Sequence, residues 1–276
     1  MITNMIESTL SSQRASWGGP PRAEDLPGML PGRAAKGYRV NSETNRPTLM
    51  PDFERVSTET VQSRVHGRLR ELLMLGRFAP GHPLKIADLA EAMGTSAQPV
   101  RESIRQLVAE RALEALPNRS ARVPGMTLER LEDLRRVRLA IEGLAAELAT
   151  ERATAEDIDA LRALMAVGIE ADNSGAIDTT VQMNKRFHFA LYAIAGSSTL
   201  LPFIESLWLQ IGPIMRQSAA IFDGRGGRGN EMHARMVEGL DRRDKEAVRE
   251  ALADDISRSF NLLAKDLART AERPAG

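Results

Sequence analysis

Residues 95–110 read TSAQPVRESIRQLVAE, and the reading of this stretch decides the fold. Thr95 or Ser96 is placed to cap a helix, its side-chain oxygen taking one of the unpaired N–H groups of the first turn. Val100, Ile104, Leu107 and Val108 then recur at helical spacing and form one apolar face. Gln98, Arg101 and Arg105 fall on a separate polar stripe. A helix with arginines along its outer stripe suits the major groove of DNA, where arginine pairs with guanine edges or phosphates. Exposed arginines are common on any helix, so the neighbouring segments carry much of the weight.

Upstream, Val61, Val65, Leu69, Leu72 and Leu73 predict a helix that ends near Gly76. Ala79-Pro80-Gly81-His82-Pro83 reads as a turn, and a short helix follows from about Ile86 to Met93, closed by Gly94. Downstream, the extended runs 113–116 and 121–123 are joined by the polar turn Pro117-Asn118-Arg119-Ser120 and read as a hairpin. Three helices and a hairpin over residues 58–125 are the layout of a winged helix-turn-helix. On its hairpin, Arg119 and Arg122 are placed to reach a neighbouring groove or the DNA backbone.

Beyond Thr127 every segment has helical period, with six helices near 127–151, 154–172, 176–195, 198–220, 229–241 and 243–270. Connections this short favour antiparallel neighbours, so residues 126–270 are expected to form an all-α antiparallel bundle. The fold class is therefore mainly α. Residues 1–57 hold 6 of the 14 prolines and no apolar period, and are expected to be a disordered extension.

The zero net charge of the 276 residues is unevenly spread. Residues 58–124 carry ten basic and seven acidic side chains, whereas residues 125–276 carry twenty and twenty-four. A basic surface on the first part and not the second agrees with nucleic-acid binding there. Cysteine is absent, which removes disulfides and thiolate chemistry and suits a cytoplasmic protein. No apolar run is long enough to span a membrane, and no secretory signal is visible.

In the bundle, the informative residues are polar ones at positions that should be apolar. Asn184 and His188 sit four apart in the stripe Val181, Asn184, His188, Leu191, Ala195. His233 falls in line with Met236, Val237 and Leu240, and Asp255 with Val248, Leu252, Ser259 and Leu262. A carboxylate in a core stripe is costly unless paired or bound to a cation. Two imidazoles, a carboxylate and an amide oxygen converging between helices would make a mixed N/O site for a divalent metal. Arg138 occupies a seam position between Leu134 and Ile141, and a buried guanidinium wants a bidentate acid. Glu142 is one candidate for that acid, and an anionic effector is the other.

The head carries Pro80-Gly81, Leu84, Ile86-Ala87-Asp88-Leu89-Ala90, Met93-Gly94, Ser96 and the run Pro99 to Leu107, and it resembles the DNA-binding domain of the GntR family. The resemblance implies DNA contacts at Arg101 and Arg105, with Ser96 and Arg119 beside them, and Gln98 joins them from the polar stripe. Ala97 stands where the family often has arginine, and Arg119-Ser120 where its wing reads Arg-Gly. The bundle resembles the FadR-like (FCD) effector domain attached to many GntR regulators. That domain's metal pattern of Asp/Asn-x3-His, His and His aligns with Asn184, His188, His233 and Asp255. Asp255 replaces the third histidine, a change that weakens binding of zinc or nickel and tilts preference toward harder ions such as manganese or magnesium. The resemblance spans residues 58 to about 268 and implies a homodimeric repressor released from operator DNA by its effector, and the metal and Arg138 suit a small carboxylate or another acidic metabolite in that role. Competing readings are a metal-free regulator sensing an acyl thioester, a structural nucleic-acid binder, and a metal-dependent enzyme. The last lacks any visible general base, nucleophile motif or phosphate loop.

Overall fold

The computed structural model describes residues 60–117, 120–221 and 230–271. The expected N-terminal extension and Arg119 lie outside the described residues. Helix α1 (Val61–Met74) starts at Thr60, whose hydroxyl accepts the Ser63 N–H at 3.1 Å, and it buries Val65, Leu69, Leu73 and Met74. Gly76, at φ +65°, ends it in the left-handed conformation that glycine adopts without strain. Strand β1 (Pro83–Leu84) leads into α2 (Ile86–Ala92) and α3 (Ala97–Ala109). Ser96 is the N-cap of α3, although its side chain makes no capping bond.

Strands β2 (Glu114–Ala115) and β3 (Ala121–Arg122) form the expected hairpin. The third strand was not expected. Instead of a plain turn, residues 79–84 run into β1, which pairs with β3 through Pro83↔Arg122 and Leu84↔Ala121. Proline lacks a donor and is confined to sheet edges, where β1 lies in the order β1-β3-β2.

The bundle comprises α4 (Leu128–Arg152), α5 (Ala155–Ser174), α6 (Ile177–Ile194), α7 (Leu200–Ile221), α8 (Glu231–Asp241) and α9 (Lys245–Ala271). Their ends fall within two residues of those the periodicity predicts, because the breaks carry strong signals. Thr154 and Asp157 form a capping box at the start of α5, and Gly175 closes that helix at φ +70°. Helix α4 packs against α6, α7 and α9, with Phe187, Trp208 and Phe260 among the fully buried side chains. No helix among the described residues is long and apolar enough to cross a membrane.

The head meets the bundle where α1 crosses α7. A Cβ on Gly212 would lie 2.4 Å from the Leu73 carbonyl oxygen and 2.6 Å from the Met74 Cα, so the two main chains touch there. Around this contact Arg70 joins Glu110, at the end of α3, to Glu205 on α7. Asp178, in the first turn of α6, pairs with both Arg77 and Arg216. Gly212→Ala is therefore expected to cost about 1–3 kcal/mol through overpacking. Gly67→Ala, with nothing within 4 Å of the new methyl, should instead gain about 0.5–1 kcal/mol as a better helix former. Denaturant midpoints moving in opposite directions would bear this out, and equal shifts would contradict it.

Candidate functional site

Helix α6 projects Asn184 and His188 from one face, α8 supplies His233, and α9 supplies Asp255 and Arg258. His188 is 1% exposed, His233 3% and Asp255 6%. His188 Nε2 lies 3.2 Å from Asp255 Oδ2 and 3.3 Å from His233 Nε2. The three candidate ligand atoms lie within 4.8 Å of one another. Half-buried Asn184 lines a cavity of about 80 Å³ beside them, together with His233, Asp255, Arg258, Asp172 and Asn230. Three of the four ligands expected from the sequence thus converge, and the fourth borders the same space.

The hydrogen bonds around the two imidazoles decide where their protons sit. Glu142 binds Arg138 in bidentate fashion, at 2.6 and 2.9 Å, and accepts the Tyr192 hydroxyl proton at 2.5 Å. The Tyr192 oxygen can then only accept from His188 Nδ1, 3.1 Å away, so a ring with one proton carries it there and leaves Nε2 bare. On the other side Asn230 donates Nδ2–H to Asp172 at 2.8 Å and turns its oxygen to His233 Nδ1 at 3.0 Å. His233 Nε2 is bare in turn. Two nitrogen lone pairs and a carboxylate at such distances repel each other unless a positive centre lies among them. One shared proton relieves a single contact, whereas a divalent ion relieves all three.

The electrostatics agree. Burial drives the His233 pKa down to about 3, so this ring is a neutral donor of its lone pair near pH 7. Burial pushes the Asp255 carboxyl up, but contact with His188 and the nearby His233 and Arg258 outweighs it and holds the group ionised. The donor set of two imidazoles and a carboxylate therefore fits a divalent metal, with Asn184 on the cavity wall as a further oxygen donor.

Arg138 is 2% exposed, and its guanidinium lies over Trp208, 4.9 Å from the ring centroid. Burial works against its charge, and the Glu142 carboxylate outweighs that to raise its pKa. Of the two acidic partners open to it, this structure supplies the internal one, and Arg138 is absent from the cavity lining. The arginine on the cavity wall is Arg258, which also pairs with Asp255 Oδ1 at 2.9 Å. Sequence reading missed Arg258, Asn230 and the polar use of Tyr192. The spacing did offer a signal, since Tyr192 continues the four-residue series of Asn184 and His188, and Arg258 follows Asp255 by three.

On the head, α3 turns Val100, Ile104 and Leu107 inward, while Gln98 and Arg105 are exposed and Arg101 is half-buried. Glu102 accepts from Gln98 at 2.8 Å and from Arg105 at 3.2 Å, so the outer stripe is held extended along the helix. Arg101, Arg105 and Ser120 share a groove between α3 and the hairpin, and Ser96 is exposed at the helix start. Arg122 on β3 pairs with Glu114 at 2.9 Å. Arg119 falls in the undescribed tip of the hairpin.

Residues 61–123 match the family described as bacterial regulatory proteins, gntR family, and residues 133–258 match the FCD domain. The HTH-type transcriptional regulator McbR of Escherichia coli is 28% identical over 221 residues, covering 80% of this chain and all of that one. The solved McbR structure superposes with a TM-score of 0.71 over 75% of this chain and 98% of its own. A probable D-xylose utilization operon transcriptional repressor of Paenarthrobacter nicotinovorans is 25% identical over 74% of this chain and 89% of its own. A putative GntR regulator from Rhodococcus shares the fold, with a TM-score of 0.60 at 20% identity over 73% of this chain and 97% of its own. The matched families and these relatives are transcriptional regulators, not enzymes.

Proposed function

The chain belongs to the GntR family and carries an FCD domain behind its DNA-binding head, and from that premise we propose a repressor whose hold on its operator is released by a small carboxylate bound beside a divalent metal. The DNA-binding regulator is given by the family. The metal-bound effector rests on one observation above the others, the three lone-pair donors His188, His233 and Asp255 facing one point. Zinc, nickel and manganese are the ions this N/O set suits, the imidazoles favouring the first two and the oxygen donors the third.

A divalent ion held there would supply a Lewis-acidic anchor for an oxygen ligand. Asn184 and Arg258 line the space such a ligand would enter, and Arg258 gives that wall a positive charge. Arg138 acts on the site through Glu142 and Tyr192 rather than by touching the ligand. A cavity of about 80 Å³ accommodates a few heavy atoms, which favours a carboxylate of two to four carbons over an acyl thioester.

The signal has a short route to the head. Met215, Ser218 and Ala219 of α7 line the cavity, and Gly212 and Arg216 of the same helix meet α1 and Gly76. A ligand that presses on α7 biases the seat of α1 and, through Arg70 and Glu110, the end of α3. Ser96, Gln98, Arg101, Arg105 and Arg119 are the proposed DNA contacts. Two copies are needed to read two half-sites. The stripe of exposed Val137 and Leu144 with half-buried Ile141 and Leu148 on α4 is the surface through which the bundle pairs with a second copy in the cytoplasm.

The test is fluorescence anisotropy with DNA selected from random sequence by the protein itself, run on metal-stripped and manganese-loaded protein. A panel of two- to four-carbon mono- and dicarboxylates should weaken DNA binding of the loaded form alone. An equal response of the stripped protein would remove the metal from the mechanism, and no response to any carboxylate would remove the effector class.

A further inference from the structure

The buried ion pair Arg138–Glu142 lies on one helix, α4, and touches neither the cavity nor solvent. Such a pair is weak evidence for stability, because apolar residues of the same volume often serve packing as well. What it does visibly is hold a third group. Glu142 Oε2 receives both Arg138 Nη2–H and the Tyr192 hydroxyl, at 2.9 and 2.5 Å. Tyr192 is one helical turn from His188 on α6 and is 2% exposed.

We propose that Tyr192, oriented by the Arg138–Glu142 pair, is the positioning residue of the metal centre: it accepts the Nδ1 proton of His188 and thereby turns the bare Nε2 toward His233 and Asp255. Without that acceptor, a neutral His188 gains more by carrying its proton on Nε2, where Asp255 Oδ2 accepts it at 3.2 Å. The lone pair then points away from the other two ligands, and the ring must change tautomer before it binds an ion. Asn230, braced by Asp172, performs the matching task for His233. The arrangement follows the general rule that a ligating imidazole is oriented through its second nitrogen. Its distinctive part is a phenol in that position, itself aimed by a buried salt bridge from another helix.

This inference rests on the metal reading for its consequence, but its premise is measurable without metal. The full chain holds four histidines, so histidine-selective ¹⁵N labelling and long-range ¹H–¹⁵N correlation resolve each ring. In chelator-stripped wild type, His188 should carry its proton on Nδ1. In Tyr192→Phe the proton should move to Nε2. Manganese affinity should fall about 10–100-fold, with the far-UV spectrum and elution volume unchanged. An Nε2–H tautomer in the wild type overturns the proposal without any variant, even if Tyr192→Phe does not fold. So does a Tyr192→Phe protein with unaltered tautomer and affinity. An Nδ1–H wild type that takes up no metal would instead support the positioning and sink the metal reading, which keeps the two failures apart.

Discussion

Replacing Arg101 and Arg105 together by alanine should abolish specific operator binding while leaving fold and metal content intact. Both lie on the outer stripe of α3, Arg105 exposed and paired with Glu102, which sits on the same stripe. That pair is exposed and contributes little to stability, so truncation is cheap for the folded chain. The DNA loses more. Each arginine contact to a guanine edge contributes about 1–3 kcal/mol, so two together amount to a loss of at least about thirtyfold, and of roughly twenty-thousandfold at the upper end. The salt dependence separates the two roles. A phosphate contact reduces the slope of log K against log salt by about one per arginine, whereas a base contact relaxes sequence preference at one position. Wild-type affinity in the double variant, measured by anisotropy at two salt concentrations, would move the interface away from α3.

Loss of both imidazoles is the second large effect. Wild-type protein purified without added metal or chelator should hold about one divalent ion per chain by elemental analysis, and His188→Ala/His233→Ala should hold none. Removing two of the converging donors leaves a carboxylate and an amide, so affinity should fall by far more than the roughly 10–100-fold expected when only an orienting partner is lost. The same variant tests the acid response of the metal-free chain. His233 is held near 3 by burial, below its ordinary 6.5. Between these values the unfolded chain binds a proton that the folded one does not, so stability is retained above pH 6.5 and declines as pH falls toward 3. Asp255, ionised well below the carboxylate range, adds to the decline in the same direction. Denaturant midpoints across pH 7 to 4 should therefore slope less in the double variant. Metal bound equally by both proteins would refute the site.

Much of this was readable in the sequence, for reasons that differ by element. The apolar face of α3 was legible because 3.6-residue periodicity is a property of one helix alone. Asn184, His188, His233 and Asp255 were legible because each breaks an apolar stripe, which needs no knowledge of the partner helix. The strand β1 was not. Two residues, one of them proline, carry no alternation to detect, and the pairing depends on β3 some forty residues later. Arg138 was readable as buried, but an internal acid four residues on and an external anion satisfy a guanidinium equally well. Only the structure chooses between them. Tyr192, Asn230 and Arg258 gain their roles from how α6, α8 and α9 meet in space, which helical spacing within one segment does not encode.

The chain of polar groups from Arg138 to Asp255 crosses three helices, α4, α6 and α9. Stripes of leucine and alanine are forgiving: a helix displaced by one turn, 5.4 Å, meets much the same kind of surface. A row of charges and hydroxyls is not, because the same displacement separates the Tyr192 phenol from Glu142 and His188 from Asp255, leaving buried polar groups without partners at about 1–3 kcal/mol each. The network therefore acts as a key for vertical alignment. It admits one stacking of the helices and penalises every neighbouring one, so the bundle has a single ground state in which a site only a few atoms wide can exist.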